Sequence, residues 1–178
     1  MLAYLIIALV AVQRLAELVY AEHNTRALLA RGAVEIGRAH YPLIGTLLAT
    51  WLVAIVVLLP RDARINLVLL AVFVILQGLR IWVLATLGPY WTTRIVTLRN
   101  APLVRRGPYR FMRHPNYAVV AAEIAVLPLV FDEVWVAVVF SLLNAAVLSL
   151  RIRQENEALA ARRALGAEPG AGMPAPKG

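Results

Sequence analysis

The residues best equipped for chemistry fall in two stretches of the chain. Residues 104–117 read VRRGPYRFMRHPNY, and they run directly into an apolar segment that begins at Tyr117. Pro115 biases His114 away from helix, so Asn116 is expected to cap the helix that follows, with His114 and Tyr117 at its mouth. Backbone N–H groups and the positive end of a helix favour a carboxylate or a phosphate there. The second stretch is a polar stripe. Ser141, Asn144, Leu148, Arg151 and Glu155 recur at i, i+3, i+7, i+10 and i+14, which is one face of a helix. A stripe that starts inside an apolar run and ends on an Arg and a Glu suggests the wall of a pocket opening at an interface. Glu157, Arg162 and Arg163 read as solvated charges.

The elements that must position these residues are membrane spans. Of the 178 residues, 61% are hydrophobic, against about 45–50% in a soluble domain. They cluster into runs near the ~20 residues that cross a hydrocarbon core of ~30 Å. The sequence predicts an all-α integral membrane protein of about five transmembrane helices, near 2–19, 42–59, 65–87, 117–131 and 134–150. The last two form a helical hairpin split by Asp132-Glu133; because the fourth is short and holds Pro128, this pair either barely crosses or is re-entrant. Pro42 suits the first turn of the second helix. The first run has no basic region before it and carries Arg14 and Glu17, so it reads as a retained helix and not as a secretion signal. An ordinary soluble enzyme is excluded, and the absence of Cys excludes disulfides and thiolate metal sites. The length implies one domain, residues 1–165, followed by a Pro/Gly/Ala-rich tail over 166–178 expected to be disordered.

The net charge of +8 is explained by membrane topology more simply than by nucleic acid. Fourteen basic residues fall in loops 20–41 and 88–116 and after residue 150, against two in loop 60–64. The positive-inside pattern therefore predicts the N-terminus outside, with loop 88–116 and the C-terminus in the cytoplasm.

Ionisable groups at membrane depth are functional candidates. Arg14 and Glu17, three residues apart, are expected to pair with each other. Gln77 and Arg80 share a face, and Arg80 is expected to snorkel toward the cytoplasm. Glu123, in AVVAAEIAVLP, has no local cation, so it is neutral, paired across helices, or lining a polar cavity. Loop 88–116 intersperses Trp91, Ile95, Val96, Leu98, Leu103, Val104, Tyr109 and Phe111 among its arginines, which is not the composition of a flexible connector. Contact with anionic lipid headgroups is the alternative reading of that mixture.

The stretch LVRRGPYRFMRHPNY, an apolar hairpin, and then RIRQENEAL resembles the isoprenylcysteine carboxyl methyltransferase family, whose members are integral membrane enzymes that use S-adenosylmethionine. The family's ordered parts occur here as Leu103-Val104, Gly107 with Tyr109, Arg113-His114-Pro115-Asn116-Tyr117, and Arg151 with Glu155, and the likeness covers residues 98–159. The stretch RLAELVYAEHNTRALLARGAVEIGRAHYP further resembles a bacterial subgroup, associated with type III polyketide synthases, that O-methylates long-chain alkylpyrones or alkylresorcinols.

The resemblance implies a cytoplasmic cofactor pocket lined by Leu103, Val104, Tyr109, His114, Pro115, Asn116 and Tyr117, with Glu155 holding S-adenosylmethionine from the last helix. Arg151 would stand on the substrate side, and a cofactor-contacting Gln of the animal enzymes falls at Arg94, a departure from the pattern. The residue types suit that ligand: His114 and the helix start for its carboxylate, Glu155 for a cationic or N–H group, Tyr109 or Tyr117 for the sulfonium or adenine. Arg151 would orient an acceptor oxygen anion, and for a less acidic phenol His114 or Glu123 would be the base. The acceptor's lipid tail would enter sideways between helices. No glycine-rich loop between a strand and a helix and no metal-ligand spacing is present in the sequence. Two other readings remain: a membrane NADPH-dependent reductase of the sterol-reductase kind, and a non-enzymatic small transporter or lipid-binding protein using Glu123 and Arg80.

Overall fold

A computed structural model describes residues 1–36, 41–60, 63–98, 104 and 106–166, with side chains through Arg153 except that of Tyr41. Leu103 and the 167–178 part of the expected tail lie outside the described residues. The helices are α1 (Leu2–Ala30), α2 (Tyr41–Leu58), α3 (Leu67–Leu87), α4 (Pro115–Val130) and α5 (Val134–Gly166). α1, α3 and α5 contain stretches long and apolar enough to cross a bilayer, while α2 and α4 are shorter apolar helices. Large apolar side chains such as Leu9, Val12 and Val19 of α1 and Val68, Val74 and Ile75 of α3 point outward. That arrangement suits lipid and not water, and the chain is a membrane protein.

α1 shows why the fold is arranged this way. Its buried residues include Ala3, Ile7, Val10, Arg14, Glu17, Ala21, Asn24 and Leu28, spaced three and four apart along one stripe. The stripe is apolar in its first half and largely polar in its second, so the polar residues face protein while Leu9, Val12 and Val19, off the stripe, face outward. The helix outruns its apolar segment. At ~1.5 Å per residue it is ~43 Å long, beyond the ~30 Å of a hydrocarbon core. It stops where Gly32 takes φ of 85°, a left-handed conformation suited to glycine. There the N–H groups of Arg31, Gly32 and Ala33 donate to the Leu28 and Leu29 carbonyls.

α3 opens on Asn66, whose side-chain oxygen accepts from the N–H groups of Val68 and Leu69, each at 3.1 Å. α4 begins at Pro115 with His114 as the capping residue, which corrects the expectation of an Asn116 cap. Proline's fixed φ and missing N–H fit the first helical position, so the helix starts one residue earlier. Between α4 and α5, Asp132 takes φ of 66°, the Glu133 N–H donates to the Pro128 carbonyl at 3.0 Å, and the Ala137 N–H donates to the Glu133 carbonyl at 3.1 Å. Glu133 is buried, and neither carboxylate oxygen has a hydrogen-bond partner among the described residues. Burial pushes its carboxyl up to about 7. This turn and the start of α3 share one end of the bundle, joined by the Asn66 N–H donating to the Val130 carbonyl at 2.9 Å; we call it the turn face. Trp51, Ile55, Phe73, Ile124, Leu127 and Phe131 form the core between the helices.

The opposite end, the loop face, departs from the all-helical expectation. Strand β1 (Val34–Ile36) pairs antiparallel with β2 (Ile95–Thr97), with Glu35 opposite Val96. VEI and IVT are rich in β-branched residues, which suit a ribbon. Short 3-10 turns at Gly88–Tyr90 and Gly107–Arg110 complete this face. Gly107 takes φ of 56°, and a Cβ there would stand 2.5 Å from Thr86 Oγ1. Only glycine lets this turn lie against the end of α3.

Candidate active site

α1 anchors the loop face. The Asn24 side-chain amide donates to the Gly88 carbonyl at 3.2 Å and to the Trp91 carbonyl at 2.9 Å, tying the chain that leaves α3 to α1. Trp91 stacks on Tyr20 with ring centroids 5.9 Å apart. Next along the chain, the Arg94 guanidinium bridges Glu22 at 3.0 Å and Glu35 at 3.3 Å, so one cation joins α1 to β1. Arg94, the position to which the resemblance assigned a Gln of the animal enzymes, has its charge balanced by two carboxylates.

The second stretch of chain arrives from Gly107. The His114 and Tyr117 rings stack with centroids 5.4 Å apart and planes 16° from parallel. Arg151 of α5 places its guanidinium carbon 5.9 Å from the Tyr117 centroid, a cation–π contact. Its Nη2 donates to the Thr93 carbonyl at 2.7 Å, so the β2 segment, α4 and α5 meet at one side chain. The N–H groups of Tyr117 and Ala118 donate back to the His114 carbonyl and Pro115 has none. The start of α4 therefore offers a ligand the Asn116 N–H, fewer donors than an open helix terminus.

These groups surround a cavity of about 1320 Å³. That exceeds the ~300–1,000 Å³ of a pocket for one small ligand and leaves room for two. Val104, Tyr109, His114, Asn116, Tyr117 and Arg151 all line it. Pro115 is buried in the first turn of α4 and is not among the lining residues. Glu155 lies one helical turn beyond Arg151 on α5, and its side chain is outside the described residues. Asn116 Oδ1 and Arg151 Nε are buried without a hydrogen-bond partner among the described residues. Among those residues, no group of three His, Cys, Asp or Glu side chains stands together as a metal site would need.

The cavity also reaches between the helices. Arg14, Glu17 and Arg80 line its deep part, and Leu15 and Leu18 of α1 with Gly45 and Ala49 of α2 line its least enclosed side. The Arg80 Nε and Nη2 atoms donate to the two oxygens of Glu17, and Nη1 donates to Glu123 at 3.0 Å. Arg14 contacts Glu17 and Glu123, each at 2.9 Å. Arg80 thus points into the bundle and does not snorkel: two carboxylates there solvate it better than a reach to the interface. Of the three options for Glu123, pairing across helices is the one realised, and Glu123 itself is not among the lining residues. Residues 90–98 contribute a long stretch of the wall; they fall within loop 88–116, whose apolar residues are singled out in the sequence, though none between 90 and 98 is named there as lining the pocket. The apolar residues in that segment were the available signal, but its pairing with 34–36 has no local signature.

A membrane-embedded helical protein with a cavity between an RHPNY segment and an arginine of its last helix is the class that fold and site define. The chain belongs to the isoprenylcysteine carboxyl methyltransferase (ICMT) family, whose pattern matches residues 67–161, and it is on that ground a membrane methyltransferase. It is similar to the uncharacterized protein YpbQ of Bacillus subtilis, 40% identical over 160 residues that cover 88% of this chain and 95% of the relative. It is also similar to an uncharacterized protein of Haemophilus influenzae, 26% identical over 141 residues, covering 76% and 82% of the two chains. No solved structure matches significantly.

Proposed function

We propose that this protein is an S-adenosylmethionine-dependent O-methyltransferase acting on a lipid-like acceptor, with residues 1–165 forming one transmembrane domain. The observation that carries the reading is one continuous cavity. It joins a polar, aromatic chamber at the loop face to an apolar slot between α1 and α2. The fourteen-to-two distribution of basic residues supports a cytoplasmic loop face, an external N-terminus and five spans.

S-adenosylmethionine, when bound, supplies an activated methyl group on a sulfonium. The chain's own residues suit it. Tyr117 and Tyr109 present aromatic faces for a cation or an adenine, and Arg113 and the Asn116 N–H suit a carboxylate. Val104 and His114, with Leu103 by family position, would complete that wall, and Glu155 would hold an amine or N–H group. The orphaned Asn116 Oδ1 and Arg151 Nε call for a ligand rich in donors and acceptors. Arg151, fixed by the Thr93 carbonyl and the Tyr117 face, orients the acceptor oxygen. A carboxylate, or an enol acidic enough to be ionised before transfer, needs no dedicated base; for a phenol, His114 takes the proton. Much of the rate enhancement then comes from positioning and exclusion of water.

The likeness of residues 14–42 to the polyketide-associated subgroup favours an alkylpyrone or alkylresorcinol hydroxyl over the carboxyl of a prenylated cysteine. The test is to incubate membranes containing the protein with methyl-labelled donor and analyse extracted lipids by mass. A labelled lipid whose formation requires His114 is the expected result; no labelled lipid with either acceptor class overturns the reading.

A further inference from the structure

Arg14, Glu17, Arg80 and Glu123 form a buried quartet at the deep end of the cavity, between 2% and 9% exposed. Its formal charges cancel. Its hydrogen bonding does not balance. The Glu17 oxygens accept from Gln13, Arg14 and both arms of Arg80, while Glu123 takes Gln77, Arg80 and Arg14. The carboxylates are thus amply served. The two guanidiniums, however, carry about ten N–H bonds between them, and the carboxylates engage only about half of these nitrogen–hydrogen directions. The quartet is saturated in acceptors and in surplus of donors.

Three of its four members line the cavity, at a level where the neighbouring wall is apolar: Ala11, Leu48, Leu52 and Val120. An ion cluster serving only to hold helices together would be sealed by packing. This one faces open space. On α4, Glu123 lies six residues beyond Tyr117, and on α3 Arg80 lies seven before Leu87. At ~1.5 Å per residue, the quartet therefore sits ~9–11 Å beneath the cluster at the loop face.

We propose that the quartet is a hydrogen-bonding subsite for an uncharged oxygen of the lipid acceptor, a carbonyl, ether or hydroxyl, held one headgroup's depth below the oxygen that is methylated. An anion is disfavoured because the quartet is already neutral, and a further buried charge would stand without a counter-ion. A plain hydrocarbon is disfavoured because it would bury donors and satisfy none. The subsite selects lipids with a second oxygen and rejects monofunctional ones, which makes Arg14 and Arg80 determinants of acceptor specificity. The assignment rests on the acceptor reading above, but its test does not need methyl transfer.

The test is equilibrium binding of two probes to purified protein in detergent micelles, measured by calorimetry: pentadecylresorcinol, and the same molecule with a keto group at the fifth carbon of its chain. The two share ring and tail and differ in one uncharged oxygen at the depth of the quartet. Wild type should prefer the keto lipid by about tenfold or more, the worth of roughly one net hydrogen bond. The double variant Arg14→Gln with Glu123→Gln keeps the quartet neutral and leaves the Arg80–Glu17 fork in place; it should lose that preference while its melting temperature stays near that of wild type. If it cannot be purified folded, Arg14→Lys takes its place, since an ammonium keeps the charge and gives up the fork. Absence of preference in wild type, or its persistence in a folded variant, overturns the subsite. Neither result depends on whether label reaches a lipid in the membrane assay.

Discussion

The mid-bundle quartet and the loop-face cluster are both polar, both buried in part, and both on the wall of one cavity. They differ in how complete they are. In the quartet every carboxylate oxygen has a partner supplied by another side chain. At the loop face Asn116 Oδ1 and Arg151 Nε have none among the described residues. The first group is assembled by folding itself, with its charges mutually compensated. The second is left incomplete where the molecule opens. Removing a single charge from the first should cost stability, and breaking the second should cost binding of the methyl donor.

The largest effect is expected at Arg80. Its removal in Arg80→Ala leaves two buried carboxylates sharing only Arg14, a loss on the order of 3–5 kcal/mol. Thermal unfolding in detergent should show a collapse in folded yield, and an unchanged transition would mean that the quartet is not structural at all. Next are His114→Ala and Glu155→Ala, which should abolish binding of the methyl donor or its demethylated product by calorimetry while leaving a folded protein. Wild-type affinity in both removes the proposed donor site. Arg151→Ala should impair turnover more than donor binding, and equal loss of both would mean that its role is misassigned.

A smaller change is expected where the loop is fastened. Gly107→Ala sets a Cβ against Thr86 at a positive φ and should destabilise by about 1–2 kcal/mol, with weaker donor binding because His114 and Tyr117 follow that turn. Unaltered affinity would separate the fastening from the site. The smallest effect lies at the turn face, where the Glu133 carboxylate is buried with no hydrogen-bond partner among the described residues. Its folded-state carboxyl titrates near 7 against 4.5 when exposed, so the fold holds its proton more tightly than the unfolded chain does. Its contribution is present in full below pH 4.5 and is lost as pH rises through about 7. The melting temperature should fall over that interval in wild type and more shallowly in Glu133→Gln.

Much of this was legible in the sequence. Apolar runs located α2, α3 and α4 to within about two residues, because lipid sets both composition and length. Arg113, His114, Asn116 and Tyr117 line the same cavity as Arg151, while Pro115 of that segment does not. What failed were features decided between distant parts of the chain. β1 and β2 pair three residues with three others across about sixty positions, and no local pattern marks that. α1 continues to Ala30 because backbone hydrogen bonding persists after the apolar run ends at Val19. Arg80 looked ready to snorkel because a single helix does not reveal that Glu17 and Glu123 stand opposite it.

The ribbon has one more consequence. Ile95, Val96 and Thr97 form part of the cavity wall on β2, and the same residues hold β1 in register on the outer edge of the molecule. Filling the interior should therefore slow hydrogen–deuterium exchange at the amides of Val34–Ile36, which touch no ligand themselves. Occupancy of a chamber enclosed by helices can in this way be followed at three backbone positions on its rim.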